Sequence, residues 1–295
     1  MHPPDHPARG VIIMIVAQAI FAVTDAIAKL LMETQPVMTV VWTRFALFTI
    51  FLSPLILRSP AHLRRTPERP LIFLRGCAML GATLFMSMAL ARLPLATALT
   101  LMFIGPFIVT ALSALVLKER VGWRRWCAIA VGFSGVLLVV RPGVGSVGWA
   151  ALFVLGSTLC WSVGVIATRK LGGKVDVFTM LIWQALIGLI AAAPFAYATW
   201  VAPTRFDYAL MFVNGTLNLF AQWLTVRALQ LAPASTVAPL TYTVIIWATG
   251  LGWLLFDTLP DRWTLAGGTV IVGSGLYVWW RERVRRAEGA AGTQG

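Results

Sequence analysis

The sequence predicts an all-α integral membrane protein whose ten transmembrane helices form two inverted five-helix repeats. Three observations carry that expectation. Hydrophobic residues make up 59 % of the 295 and charged residues only 12 %, against about 45–50 % and about 25 % in a soluble domain. Mean hydropathy is +0.81, and apolar runs recur from end to end, most long enough for a helix across a roughly 30 Å hydrocarbon core. The second half also repeats the first, displaced by an odd number of spans.

Pro, Gly and charged residues divide the apolar windows. The first span, about 11–32, ends before Pro36, and the second, about 37–57, stops at Arg58. The third, about 71–91, follows Arg69-Pro70, and the fourth, about 95–117, runs from Pro94 to Lys118. Arg125 and Arg141 bound a short fifth span, about 126–140, and a glycine-rich connector leads into the sixth, about 147–168, which stops at Arg169. The seventh, about 177–198, follows Asp176, and the eighth is about 207–229. The ninth, about 234–256, lies between Pro233 and Asp257, and the tenth, about 263–280, between Arg262 and Arg281. The connectors are brief and leave no room for a soluble domain. The first run is expected to be retained rather than cleaved: it is too long for a signal peptide, Asp25 and Lys29 interrupt it, and no small-x-small site follows.

The formal net charge is +13, but the bases cluster between spans. No basic face interleaved with exposed aromatics, as nucleic acid would require, is present. With the N-terminus placed inside, 17 of the 24 Lys and Arg fall on the inner side, four (Arg92, Arg141, Arg205, Arg262) fall outside, and Lys29, Arg44 and Arg75 lie within spans. The positive-inside rule then puts both termini in the cytoplasm, most simply at a bacterial inner membrane. Cys77, Cys127 and Cys160 stand apart with no CxxC, and His2, His6 and His62 lie outside the spans. No metal site, cofactor or disulfide framework is indicated.

Residues 161–187 overlay 21–47 without a gap: Lys29 falls on Arg169, Val37 on Val177, Thr39 on Thr179 and Arg44 on Gln184. FVNG (212–215) overlays FLRG (73–76), and RALQLAPAST (227–236) overlays MALARLPLAT (88–97). With one residue of slippage Glu119 meets Asp257 and Gly135 meets Gly273. Five spans per unit means that the second enters the membrane from the opposite side, the inverted architecture common among transporters. The expected units are 1–146 and 147–281, followed by a disordered cytoplasmic tail, 282–295.

Lys29, the Arg44-Phe45 pair, GPFIVTALSALVLKER (105–120), the glycines 132 and 135 and RPG (141–143) give the first unit a characteristic order. YTVIIWATGLGWLLFD (242–257) and GGTVIVGSG (267–275) repeat it in the second. In this order the chain resembles the EamA type of the drug/metabolite transporter superfamily over nearly its full length. The resemblance implies a ten-helix carrier of small metabolites. Asp257 departs from it, standing where a Glu is usual, and Asp25 and Arg44 face only Val165 and Gln184 in the second unit.

The candidate binding residues are intramembrane polar groups. Asp25 and Arg44 are equidistant from position 34.5 of the first helical hairpin, each at most about 14 Å from its turn at ~1.5 Å rise per residue. Lys29 and Gln18 share the Asp25 face of the first span. A charge at a helix centre costs roughly 2.5–3.5 kcal/mol, so these groups should face protein or a wet cavity. Two readings stand side by side: an Asp25–Arg44 or Asp25–Lys29 ion pair locking the helices, or a pocket for a polar or anionic group with Asp25 carrying a coupling proton. Lys29 also lies near enough to the outer end to snorkel. Asn214, Asn218 and Gln222 form a stripe on the eighth span, either interhelical glue or cavity lining. Trp161, Gln184, Trp223 and Tyr242 are aromatic and amide candidates to join it. Gly105-Pro106 and Pro239 lie in the fourth and ninth spans, which are equivalent in the repeat, and are kinks or hinges.

An intramembrane enzyme and a non-transporting scaffold are the rival classes. GFSG (132–135) matches a Gly-x-Ser-Gly pattern, but a serine nucleophile needs a base within reach and no span holds a histidine. The sequence therefore predicts a non-enzymatic secondary transporter of an amino-acid-like, vitamin-like or amphipathic drug-like compound. Its expected partners are that substrate and the lipid bilayer, with no nucleic acid, as a monomer or homodimer.

Overall fold

The computed structural model describes residues 7–58, 68–116, 122–141, 148–171, 174–232 and 234–291. His2, His6, His62, the 118–120 stretch with Glu119, and Pro142-Gly143 lie outside the described residues. The helices are α1 (Pro7–Thr34), α2 (Val37–Arg58), α3 (Arg69–Leu90), α4 (Leu95–Met102), α5 (Gly105–Val116) and α6 (Trp123–Val140) in the first half. The second half holds α7 (Ala151–Leu171), α8 (Val177–Ala198), α9 (Arg205–Leu231), α10 (Ala234–Val237), α11 (Val244–Phe256) and α12 (Arg262–Ala291). All ten expected spans are helical, and no strand occurs among the described residues. Seven are long and apolar enough to cross a membrane, with Trp126–Val140 a shorter apolar helix. The other two are α9, which carries the amide stripe, and α12, whose last turns are rich in Arg. The tail expected to be disordered from 282 instead continues α12 to Ala291.

The fourth and ninth spans are each broken. Between α4 and α5 the chain turns at Phe103-Ile104, because Pro106 has no N–H to give the Met102 carbonyl. In the ninth span, α10 and α11 flank a 3₁₀ segment, Ala238–Thr243, that contains Pro239. The two breaks meet: the Phe103 and Tyr242 rings lie 4.6 Å apart. A second pair of prolines, Pro54 in α2 and Pro194 in α8, occupies repeat-equivalent positions.

Packing follows the repeat. The most extensive interfaces are α3 on α7 and α1 on α9, which exchange with one another under the duplication, and α6 on α12 and α2 on α8, which map onto themselves. Sequential neighbours α1 and α2 touch little by comparison, so neither half could bury its helices alone. Glycine permits the closest approaches. A Cβ on Gly76 would lie 2.4 Å from the Ile187 side chain, and one on Gly215 would lie 2.6 Å from Leu47, two contacts related by the repeat. Where α6 crosses α12, a Cβ on Gly135 or Gly267 would strike the other's carbonyl oxygen at 2.8 and 2.5 Å.

The two ends of the bundle differ. The end carrying the α1–α2 turn is called the hairpin side, and the opposite end the termini side. The largest buried cluster concentrates toward the hairpin side: Leu90, Leu93, Leu95, Leu99, Phe103, Val139 and Val154 all belong to it. On that side Arg141 donates to Asp261 and packs over the Trp263 ring. Hydrogen bonds from Thr264 and the Arg141 charge hold the Asp261 carboxyl below the usual carboxylate range. Clusters toward the termini side, such as Ile72, Leu171 and Met180, are small.

Candidate functional site

The turn from α1 to α2 is held by the start of α9. Thr204 and Asp207 form a reciprocal capping box there. The same Asp207 carboxylate accepts hydrogen bonds from Thr34 Oγ1 (2.9 Å) and Gln35 Nε2 (3.1 Å). This anchor sets the hairpin's depth and register, and with them the positions of Asp25 and Arg44.

Asp25 and Arg44 act on each other electrostatically. Among the described residues they neither close into an ion pair nor take a hydrogen bond from any other group. Both residues are half-buried. The locked ion pair expected as one reading, whether Asp25–Arg44 or Asp25–Lys29, is not formed among the described residues.

Lys29 is engaged elsewhere. Its ammonium donates to the carbonyls of Leu90 (2.7 Å) and Leu93 (2.8 Å) and sits 5.3 Å from the centre of the Phe256 ring. Leu90 stands four residues before Pro94, which has no N–H, so its carbonyl lacks a helical donor. Lys29 supplies one and ties α1 to the end of α3 on the hairpin side. The repeat-equivalent pair, α7 and α9, has no comparable interface among the described residues.

The amide stripe divides. Asn214 Nδ2 donates to the Thr24 carbonyl at 2.6 Å, which fastens α9 to α1 next to Asp25. Gln222 Nε2 donates to Asn218 Oδ1 at 3.0 Å within α9. Asn214→Leu is therefore expected to lower thermal stability in detergent by about 0.6–2 kcal/mol, the range for interhelical bonds in membranes. An unchanged unfolding temperature would show that the bond contributes nothing.

The remaining candidates scatter. Gln18 is buried and donates to Met14 Sδ at 3.3 Å. Trp161 is 42 % exposed, with Gly105 beneath its ring. Trp223 is 52 % exposed and stacks on Phe220 with Arg227 over its ring. Tyr242 packs on Phe103 and Gly275 and borders a groove of about 510 Å³ between α11 and α12. Gln184, the repeat counterpart of Arg44, accepts from Arg75 Nη1 at 3.2 Å.

Arg75 was not among the candidates. It joins three helices, donating from α3 to Thr168 Oγ1 (2.8 Å) on α7 and to the Met180 carbonyl (3.1 Å) and Gln184 on α8. The repeat offered a signal, since Arg75 overlays Asn214. Each is the polar group by which the third helix of one unit grips the first helix of the other.

The sequence profile of the EamA-like transporter family matches this chain twice, over residues 8–141 and 148–280. The chain belongs to the EamA-like transporter family. In this EamA-like chain the two matched segments coincide with α1–α6 and α7–α12. The chain is 24 % identical to the S-adenosylmethionine uptake transporter of Rickettsia prowazekii, covering 89 % of each chain. It is 29 % identical to the pseudopaline exporter of Pseudomonas aeruginosa over 89 % of this chain and 93 % of that one. Identity reaches 32 % with a riboflavin transporter of Rhizobium johnstonii, over 67 % of this chain and 65 % of the relative. One solved structure superposes with a TM-score of 0.62 over 95 % of this chain and 98 % of that one, at 17 % identity, a likeness of fold alone. Within this family fold, Asp25 on α1 and Arg44 on α2 act on each other electrostatically and take no hydrogen bond among the described residues.

Proposed function

We propose that this protein is a secondary transporter that carries a small organic metabolite across a bilayer by alternating access, with the Asp25–Arg44 region lining the working site. The observation that carries the reading is the open pair. Two charges kept at depth with no hydrogen-bonded partner among the described residues are costly to insert, and a polar solute that passes between them would satisfy both. Relatives named for S-adenosylmethionine uptake, pseudopaline export and riboflavin transport agree with a metabolite cargo and leave its direction open.

The reading extends to points argued from sequence. Residues 1–146 and 147–281 act as the two inverted units, and Lys/Arg placement puts the termini side in the cytoplasm of a bacterial inner membrane. Asp25 is the residue placed to carry a coupling proton. The protein works without catalytic residues, cofactor or nucleic acid, as a monomer or homodimer. Flux of candidate metabolites in sealed proteoliposomes tests the reading directly, with and without an imposed pH gradient. Saturable, protein-dependent flux is the expected result. A reconstituted, folded protein that moves no solute from a broad metabolite panel would leave only a membrane scaffold.

A further inference from the structure

We infer that the groove between α6 and α12 holds an acyl chain of an anionic phospholipid, whose phosphate lies among arginines at the groove's termini-side mouth. This site is separate from Asp25 and Arg44 and does not depend on which solute the carrier moves.

The groove follows from how the two helices cross. They run antiparallel: Arg141 at the end of α6 meets Asp261 just before α12, and Trp123 at its start shares a groove wall with Tyr277. Gly135 and Gly267 bring the backbones into contact. Toward the termini side a groove of about 450 Å³ opens, with Trp123, Cys127 and Val131 from α6 and Gly273, Ser274 and Tyr277 from α12. Ser274 gives its hydroxyl to the Ile271 carbonyl, so the walls offer an occupant almost no hydrogen bonds. Such walls suit a hydrocarbon chain and would strip water from a polar metabolite without replacing it.

Packing within the chain does not account for Gly273. Its repeat twin Gly135 admits the Gly267 carbonyl, whereas a Cβ on Gly273 would meet no described atom within 4 Å. Glycine inside a helix is destabilising, and here no described part of the protein uses the space it leaves. A flexible chain from the bilayer fits there.

The mouth supplies the charge. Arg281 follows Tyr277 by one helical turn on the same face of α12, and its Nε is buried without a hydrogen-bond partner among the described residues. Arg285 stands a turn further along, and Arg124 and Arg125 stand in the first turn of α6. Residues 281–286 hold four arginines against one acid, Glu282. Helix α6 begins at Gly122, which gives no side-chain cap, and its positive end faces the same mouth. The exposed Trp123, Trp126 and Trp280 mark this level as the membrane interface. Arginine binds phosphate through paired N–H donors, and basic pockets between spans recognise anionic head groups. A zwitterionic lipid brings an ammonium toward the same arginines and loses the attraction.

The test uses the full chain in detergent with dioleoyl phosphatidylglycerol, dioleoyl phosphatidylcholine or glycerol phosphate. Cys127 lies in the groove and Cys77 on α3, and both are exposed. Their labelling by N-ethylmaleimide, followed separately by peptide mass spectrometry, reports occupancy with an internal control. Phosphatidylglycerol should slow labelling of Cys127 by about fivefold or more and of Cys77 by less than about twofold. At equal mole fraction phosphatidylcholine should slow Cys127 by less than about twofold, and glycerol phosphate, which has no chains, should leave it unchanged. In Arg281→Gln the two lipids should come within about twofold of each other. Gly273→Leu, which puts a side chain into the groove, should cut the lipid retained in native mass spectra by about threefold or more. Equal protection by both lipids, protection by glycerol phosphate, or a Cys127 shielded by a second copy of the chain with no lipid bound would overturn the inference. The wild-type comparison decides it even where a variant fails to fold.

Discussion

Asp25→Asn and Arg44→Ala each reduce substrate flux by about tenfold or more, while Lys29→Ala reduces it less. The ordering follows from what each group bonds. Asp25 and Arg44 have unused bonding capacity, so truncating either removes a charge-assisted contact worth roughly 1.5–3 kcal/mol to a bound solute, about ten- to a hundredfold in affinity. Lys29 caps carbonyls at the end of α3, and its loss weakens that tie without touching the open pair. Initial rates in proteoliposomes containing matched amounts of folded protein measure the effect. Full flux in both Asp25→Asn and Arg44→Ala would mean that the first hairpin does not line the working site.

Arg75→Ala produces the largest loss of stability expected from a single polar substitution in the bundle. The guanidinium gives hydrogen bonds to Thr168 Oγ1, the Met180 carbonyl and Gln184 Oε1. Deleting it removes these polar ties of α3 to α7 and α8 and leaves Gln184 Oε1 without that donor, while the Met180 carbonyl keeps its helical one. Hydrogen bonds from a charged group are worth about 1.5–3 kcal/mol each, and relief of a buried charge offsets part of the loss. A net loss of roughly 2–4 kcal/mol corresponds to several degrees in unfolding temperature for a chain of this size. Thermal unfolding in detergent measures it. Arg75→Lys should fall between the two, because an ammonium retains the charge but not the planar fork that reaches two helices at once. An Arg75→Ala protein as stable as the wild type would reduce Arg75 to a surface-like charge.

The spans themselves were readable because the bilayer imposes a length and a polarity on each. The ends of α2 and α8 were placed to within a residue by Pro36, Asp176 and the apolar pattern. The breaks in the fourth and ninth spans had visible causes in Pro106 and Pro239. The extension of α12 to Ala291 was not visible, because an Arg-rich segment past the membrane has no hydropathy signal to separate helix from coil. Within the site, the sequence brought out Asp25 and Arg44 as charges with no charged twin in the second unit. It also grouped them with Lys29 and Gln184, which the bundle turns toward other partners. Hydropathy and spacing report which face of a helix a group occupies, but not whether a carbonyl or guanidinium on another helix has already claimed it.

By itself the sequence determined the membrane class, the ten spans, the duplication and the presence of an unmatched acid and base at one depth. Each of these follows from local polarity or from comparing the chain with itself. Only the tertiary structure decided that Lys29 serves the α3 carbonyls, that Arg75 holds Gln184, and that Asn214 fastens α9 to α1. It also decided that Asp25 and Arg44 take no hydrogen bond among the described residues. These outcomes depend on contacts between residues some 60 to 190 positions apart, set by how the two inverted halves interlock.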